Sequence, residues 1–226
     1  MTFSGFDRAA VALLDELPSW SPEEFEAHKR QLHDGLSEPG RALINDLAAR
    51  LDAKLTIDSR SSVSPLHRDL RFAPAGSARY KDHLLLTTWE GADKKTSPTL
   101  WIRIDARRVG FASGLGFTPT FRDRWRAAVA GSNGETLATA LDGLVDRQHA
   151  EIAGERTKNV PAPFGADHPR AALLRLTGFQ VRFSNRLADT IATPDLADWC
   201  AERLEELLPV HRWLLAHISE PRPTKG

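Results

Sequence analysis

The segment of this chain that most demands a chemical partner reads Leu66-His67-Arg68-Asp69-Leu70-Arg71-Phe72, followed after a short connection by Tyr80 and Lys81. If it is extended, Leu66, Arg68, Leu70 and Phe72 share one face and His67, Asp69 and Arg71 the other. That alternation sets an arginine among apolar side chains. A buried guanidinium without a partner is costly, so Arg68 requires a carboxylate, backbone carbonyls or a ligand anion. Two readings follow, and they can coexist. In one, Arg68, Arg71 and Lys81 form an anion site beside Asp69, with Tyr80 as a hydroxyl donor. In the other, Arg68 is tied to an acid of the N-terminal helices, such as Glu24 or Asp46. Either way the alternation predicts a buried Arg68 and an outward Arg71.

Other residues carry weaker signals. Gly114-Leu115-Gly116 ends a predicted strand immediately before a helix start, where backbone amides favour an anion and glycine allows close approach. The lysine and hydroxyl of a phosphate loop are missing, and sheet packing is the competing explanation. His168, between Asp167 and Pro169, is a loop histidine beside an acid, the type of residue that serves as a general base; capping of the turn by Asp167 is the alternative. The eight histidines show no metal spacing, and the single cysteine, Cys200, excludes an internal disulfide and reads as a small buried hydrophobe. No cofactor or metal is expected. Lys94, Lys95, Arg103, Arg107 and Arg108 with Trp89 and Trp101 could meet nucleic acid, but basic and aromatic residues alternate as a half-buried sheet requires, so this partner ranks third.

The elements that must position these residues can be read from periodicity. Apolar spacing predicts helices over Phe6–Leu17, from Ser21 to about Asp34 with a capping box at Ser21 and Glu24, and from Pro39 through Leu51, with Gly35 closing the second. Strand patterns follow at Leu55 and Ile57, His83–Trp89, Thr99–Asp105 and Val109–Phe117, the last two forming a hairpin. Thr118 and Pro119 open a helix, another covers Glu135–Ala153, and residues 154–169 read as a long loop. Phe179, Val181 and Phe183 alternate as a strand before a helix over Asp195–His217. The fold class is therefore α+β, a central antiparallel sheet covered by N-terminal and C-terminal helices.

At 226 residues, with 41% hydrophobic and 27% charged side chains, the chain has globular composition and no membrane-spanning run. One domain over residues 1–219 is expected, with a disordered tail from Glu220. No targeting segment precedes it, so a cytoplasmic location is expected. Arginine far outnumbers lysine, as in GC-rich bacterial genomes. The net charge is zero but uneven: residues 54–126 hold fourteen Lys and Arg against seven Asp and Glu, between acidic flanks. Such a basic middle either faces an anion or is neutralised by packing against the acidic helices.

The signature at 66–81 resembles that of domain of unknown function 2461, a bacterial family with the pattern RxxRDxRFxxx[D/N]KxxY. The likeness extends to Phe3-Ser4-Gly5-Phe6, to Phe25-Glu26-Ala27-His28-Lys29 followed by Pro39, to the strand through Gly114 and Gly116, and to Asp167-His168-Pro169. It carries over to Arg68, Asp69, Arg71, Phe72 and Tyr80. Pro65 stands where the pattern has its first arginine, and Gly76 and Ser77 replace the acid or amide and the lysine. The resemblance brings no activity with it, and the residues leave open whether a reaction follows binding. The expected function is binding of a small phosphate- or carboxylate-bearing ligand near Arg68, Asp69, Arg71, Tyr80 and Lys81. A protein-interaction or regulatory module is the alternative. Because neither metal nor disulfide is expected to support the fold, chelator and reductant should leave the melting temperature unchanged; a fall of several degrees with chelator alone would reveal a structural metal.

Overall fold

The computed structural model describes residues 2–53, 55–58, 61–91 and 93–219; the tail from Glu220 lies outside the described residues. In chain order the elements are α1 (Arg8–Leu13), α2 (Pro22–Leu32), α3 (Glu38–Arg50), β1 (Leu84–Trp89), β2 (Thr99–Ile104), β3 (Arg108–Gly116), α4 (Pro119–Ala130), α5 (Asn133–Gln148), β4 (Glu151–Ala153), α6 (Ala171–Leu174), β5 (Gly178–Arg186) and α7 (Leu196–His217). The strands form one antiparallel sheet in the order β1-β2-β3-β5-β4, flanked by helices, so the fold is α+β. Contacts group the chain into two compact units. The first comprises Met1–Thr88, Trp101–Gly110 and Ser184–Arg203, and the second Trp89–Leu100, Phe111–Phe183 and Leu204–Gly226.

In the first unit the sequence signals at α2 act as predicted. Ser21 Oγ accepts from the N–H of Glu24, the Glu24 carboxylate accepts from the N–H of Ser21, and Pro22 occupies the first turn. Gly35 does not end this helix. A π-turn over His33–Ser37 carries it directly into α3, and Gly35 sits there because a Cβ would lie 2.5 Å from the Cβ of Ala10 in α1. Close helix approach, rather than termination, is what the glycine supplies. The helix expected over Phe6–Leu17 is likewise shorter, since after Leu13 the chain turns and tightens into a 3-10 turn at Leu17–Ser19. Phe3, Phe6, Leu14, Leu36, Leu43 and Leu47 form the buried helical core with Leu84 and Leu86 of β1.

The segment at 66–72 is not a strand. His67 makes a single antiparallel bridge with Tyr80, and Leu70–Phe72 then coil into a 3-10 turn. The turn abolishes the alternation on which a buried Arg68 depended, and Arg68 is exposed. Of the Leu55 and Ile57 strand only a bridge at Thr56 forms. Val63 instead bridges Leu86, extending the pairing of β1.

The second unit is built around Trp125 of α4. Its fully buried ring meets Phe117, Phe179 and Trp213 at centroid distances of 5.1, 4.9 and 5.6 Å, and its indole N–H donates to the Leu173 carbonyl at 2.8 Å. The helix expected through Ala153 stops at Gln148, where His149 adopts a left-handed conformation and caps α5. Glu151–Ala153 then pairs with β5, Ile152 opposite Val181. Phe179, Val181 and Phe183 are buried on alternate positions of β5, as predicted.

One buried polar group in this unit stands out. His211 and Ser113 are both fully buried, and the Ser113 hydroxyl lies 3.3 Å from His211 Nδ1. The other ring nitrogen is 3.8 Å from a Glu90 carboxylate oxygen, too far for a hydrogen bond. Burial, with a smaller contribution from Arg212, pulls the His211 pKa down to about 4. Its unfolded value is about 6.5, so as pH falls the unfolded chain takes up the proton first. Stability from the neutral ring is complete above about pH 6.5 and is lost as pH falls towards 4, by about 3 kcal/mol in all. Urea denaturation of wild type and His211→Gln at pH 7 and pH 4.5 should show the smaller acid loss in the variant; equal losses would mean that His211 does not carry this linkage.

Candidate functional site

The signature residues gather into a small, internally bonded knot in the first unit. The N–H of Arg68 donates to the Arg79 carbonyl and that of Lys81 to the Leu66 carbonyl, each at 2.8 Å, around the His67–Tyr80 bridge. Tyr80 is 2% exposed, its ring stacked on Phe25 with centroids 4.4 Å apart and planes within 5°, while His67 meets both rings edge-on. Lys81 Nζ donates to the Pro65 carbonyl at 2.7 Å, and burial, then the charge of Arg68, lowers its pKa. Arg68 Nε donates to the Ala78 carbonyl at 3.2 Å. The proposed acidic partners are engaged elsewhere, Glu24 in its capping box and Asp46 with the N–H of Phe3 at 3.2 Å.

Asp69 and Arg71 form the tip. One Asp69 oxygen accepts from the Arg71 N–H at 3.1 Å and from its Nε at 2.9 Å, the other from Nη2 at 2.7 Å. This bidentate pair, with the added main-chain bond, lowers the Asp69 pKa. The pair therefore closes the 3-10 turn on itself and leaves the neighbouring Leu70 45% exposed.

The remaining sequence candidates lie in the second unit. A Cβ on Gly114 would meet the Phe179 carbonyl at 2.6 Å, so glycine permits β3 and β5 to approach there, and its own carbonyl accepts from the Thr99 hydroxyl at 3.1 Å. Gly116 is exposed with open space around it. His168 accepts the N–H of Arg170 on Nδ1 at 3.0 Å, which shapes the loop. That loop presents Arg170 to the C-terminal end of α4, where it donates to the carbonyls of Val129, Ala130 and Gly131 at 2.6, 3.0 and 3.1 Å. In the first unit, Cys200 is buried, and burial raises its thiol pKa. Among the described residues no group of three or more His, Cys, Asp and Glu could hold a metal ion. Ser113, His211 and Glu90 have the residue types of a hydrolytic triad, but the serine and histidine are fully buried and present no face to a substrate.

The first unit also contains a cavity of about 580 Å³, lined by Arg8, Ala106, Arg107, Arg108, Arg186, Leu187, Ala188 and Asp189. None of the signature residues lines it. Three segments supply the arginines: the start of α1, the β2–β3 turn and the end of β5. Asp105 Oδ1 accepts the N–H groups of Arg107 and Arg108 at 2.9 and 2.8 Å and so shapes the turn. The N–H of Leu187 donates to the Arg107 carbonyl at 2.7 Å, joining the end of β5 to it, and the N–H of Phe6 donates to Ile191 at 2.8 Å just before α1. Arg8 donates to the main-chain carbonyl of Asp189, Arg108 to the Ser184 hydroxyl at 2.8 Å, and Arg107 pairs with Asp15 at 2.9 Å. Arg186 is exposed, and its side chain has no hydrogen-bond or ion-pair partner among the described residues. Arg107 and Arg108 were visible as adjacent basic residues at a hairpin turn; Arg8 and Arg186 gave no sequence signal because they are far from both in the chain.

The knot and its charged rim separate in mutational terms. Arg68→Ala removes one exposed hydrogen bond and should cost under about 1 kcal/mol, whereas Tyr80→Ala empties a stacked, buried ring site and should cost about 3 to 5 kcal/mol. Urea midpoints of the two variants compare them directly, and equal losses would show that Arg68 holds the knot together.

No helix among the described residues is long and apolar enough to cross a membrane. No curated protein matches the chain. A family model described as conserved hypothetical protein (DUF2461) matches residues 20–213, most of the chain and the whole of the arginine signature. A match of that extent, which includes the arginine signature, places this chain in the DUF2461 family.

Proposed function

We propose that this domain binds a small anionic ligand, and that the arginine-lined cavity is where it does so. The observation that carries the reading is the imbalance of charge around the cavity: four guanidinium groups line it against the one carboxylate of Asp189, and only Arg107 has a carboxylate partner, Asp15. Like charges lining one cavity repel one another, though solvent screens exposed groups, and an anion relieves that repulsion. The volume lies within the range of small-molecule sites, and the hydrogen bonds of Asp105 and Leu187 hold the walls before any ligand arrives. In this reading the signature residues Arg68, Asp69, Arg71, Tyr80 and Lys81 keep their own turn in shape, since each of the four charged side chains already has a local partner. A second reading, docking of a protein at that turn, is favoured by the exposed Leu70 between Arg68 and Arg71.

Thermal unfolding with sulfate, phosphate and pyrophosphate at constant ionic strength tests the proposal. A ligand at one hundred times its Kd should add about 2.7 kcal/mol, or on the order of 5 to 10 °C for a chain of this length. The shift should disappear in Arg186→Gln and persist in Arg30→Gln, a surface control on α2. If Arg71→Gln abolishes it instead, the ligand sits at the signature turn; if no anion shifts the wild type, the anion reading fails.

A further inference from the structure

The same cavity indicates which kind of anion it takes. Resting on the reading that it is an anion site, we infer that the ligand is a compact polyphosphorylated anion, recognised through at least two phosphoryl groups and not through a base or a sugar ring.

Three observations lead there. The first is charge. Four cations face Asp189, and Asp15 pairs with one of them, so two positive charges remain unbalanced; a carboxylate monoanion leaves the site electropositive, and a phosphoryl dianion is the smallest group that balances it. The second is direction. The guanidinium groups come from three separate segments, Arg8 from α1, Arg107 and Arg108 from the turn and Arg186 from the end of β5. A carboxylate offers two coplanar oxygens and suits one planar fork. A phosphoryl group offers three oxygens in a tetrahedral array and accepts forks from several walls together. Arg8 and Arg108 each spend one side-chain donor on a neutral oxygen and the Arg186 side chain spends none on described residues, so about thirteen of their fifteen N–H groups are available, more than the three oxygens of one phosphoryl group accept.

The third observation is what the remaining wall offers. Ala106, Leu187 and Ala188 are short and aliphatic, and the lining has no aromatic ring, amide side chain or histidine. Nucleobases are commonly held on aromatic rings and by amide side chains at their edges; this wall has neither, and its only base-binding groups are the same guanidinium forks that phosphoryl oxygens take. The specificity therefore resides in the number and spacing of phosphoryl groups.

Calorimetric titration of the full chain with phosphate, pyrophosphate, tripolyphosphate, ADP, citrate and a short single-stranded oligonucleotide separates the alternatives. Affinity should rise about tenfold or more from phosphate to tripolyphosphate, with ADP no tighter than pyrophosphate and citrate weaker than tripolyphosphate. Arg186→Gln, with an unchanged melting temperature in the absence of ligand, should weaken tripolyphosphate about tenfold, since it removes one charged fork. Citrate binding as tightly as tripolyphosphate would overturn the phosphoryl assignment while leaving an anion site in place. Much tighter binding of ADP than of pyrophosphate would reveal a base pocket, and preference for the oligonucleotide would make the partner a nucleic acid; each overturns the inference. Failure of every anion to bind would overturn the site itself.

Discussion

The carboxylate of Asp105 closes the turn between β2 and β3, and the placing of the arginines follows from it. One oxygen accepts two successive backbone N–H groups, those of Arg107 and Arg108, and the N–H of Asp105 donates to the Arg108 carbonyl at 3.0 Å. These bonds are to the backbone of the two arginines, not to their guanidinium groups, so they fix the turn and leave the arginine charges uncompensated. Main-chain bonds then extend the effect. Arg107 receives Leu187, which sets the end of β5, and three residues after Ala188 the carbonyl of Ile191 receives Phe6, which sets the approach to α1. The arginine side chains thus project from backbone held by main-chain hydrogen bonds.

The chain uses arginine in two opposed ways. At the signature, every charged side chain is absorbed locally: Arg71 by Asp69, Arg68 by a carbonyl, Lys81 by another. The effect is to stabilise an irregular segment that has no strand ladder to satisfy its backbone, with Tyr80, Phe25 and His67 forming its apolar side. Around the cavity, acids are scarce and three of the four arginines bond only to neutral oxygens or to no described residue. The four arginines are exposed, and the proposed anion would supply the counter-charge that the fold leaves out.

The second unit shows the opposite economy of polar groups. Trp125 and Trp213 each bury an indole with its N–H bonded to a main-chain carbonyl, and Arg170 satisfies three carbonyls at the end of α4. His211 departs from this pattern: its ring is buried with one nitrogen unbonded, and burial lowers its pKa. In the Asp167-His168-Pro169 loop it is His168, and not the Asp167 expected to cap the turn, that accepts a backbone N–H, that of Arg170.

Local chemistry determined much of this protein by itself. The capping box at Ser21, the Thr118 start of α4, the β2–β3 hairpin and the alternating Phe179, Val181 and Phe183 are each set by residues within a few positions of one another, and each forms as its pattern predicts. Other local patterns went the other way, two of them for clear physical reasons. The apparent alternation at 66–72 gave way to a 3-10 turn, because Asp69 bonds the backbone two residues on more readily than an isolated strand finds a partner. Gly35 read as a helix stop, yet α1 packs so closely on it that its lack of a side chain serves contact. The cavity was decided by tertiary structure alone. Arg8, Arg107, Arg108 and Arg186 span most of the chain, and charges that meet only through three-dimensional pairing of β5, the turn and α1 leave no periodicity in the sequence to betray them.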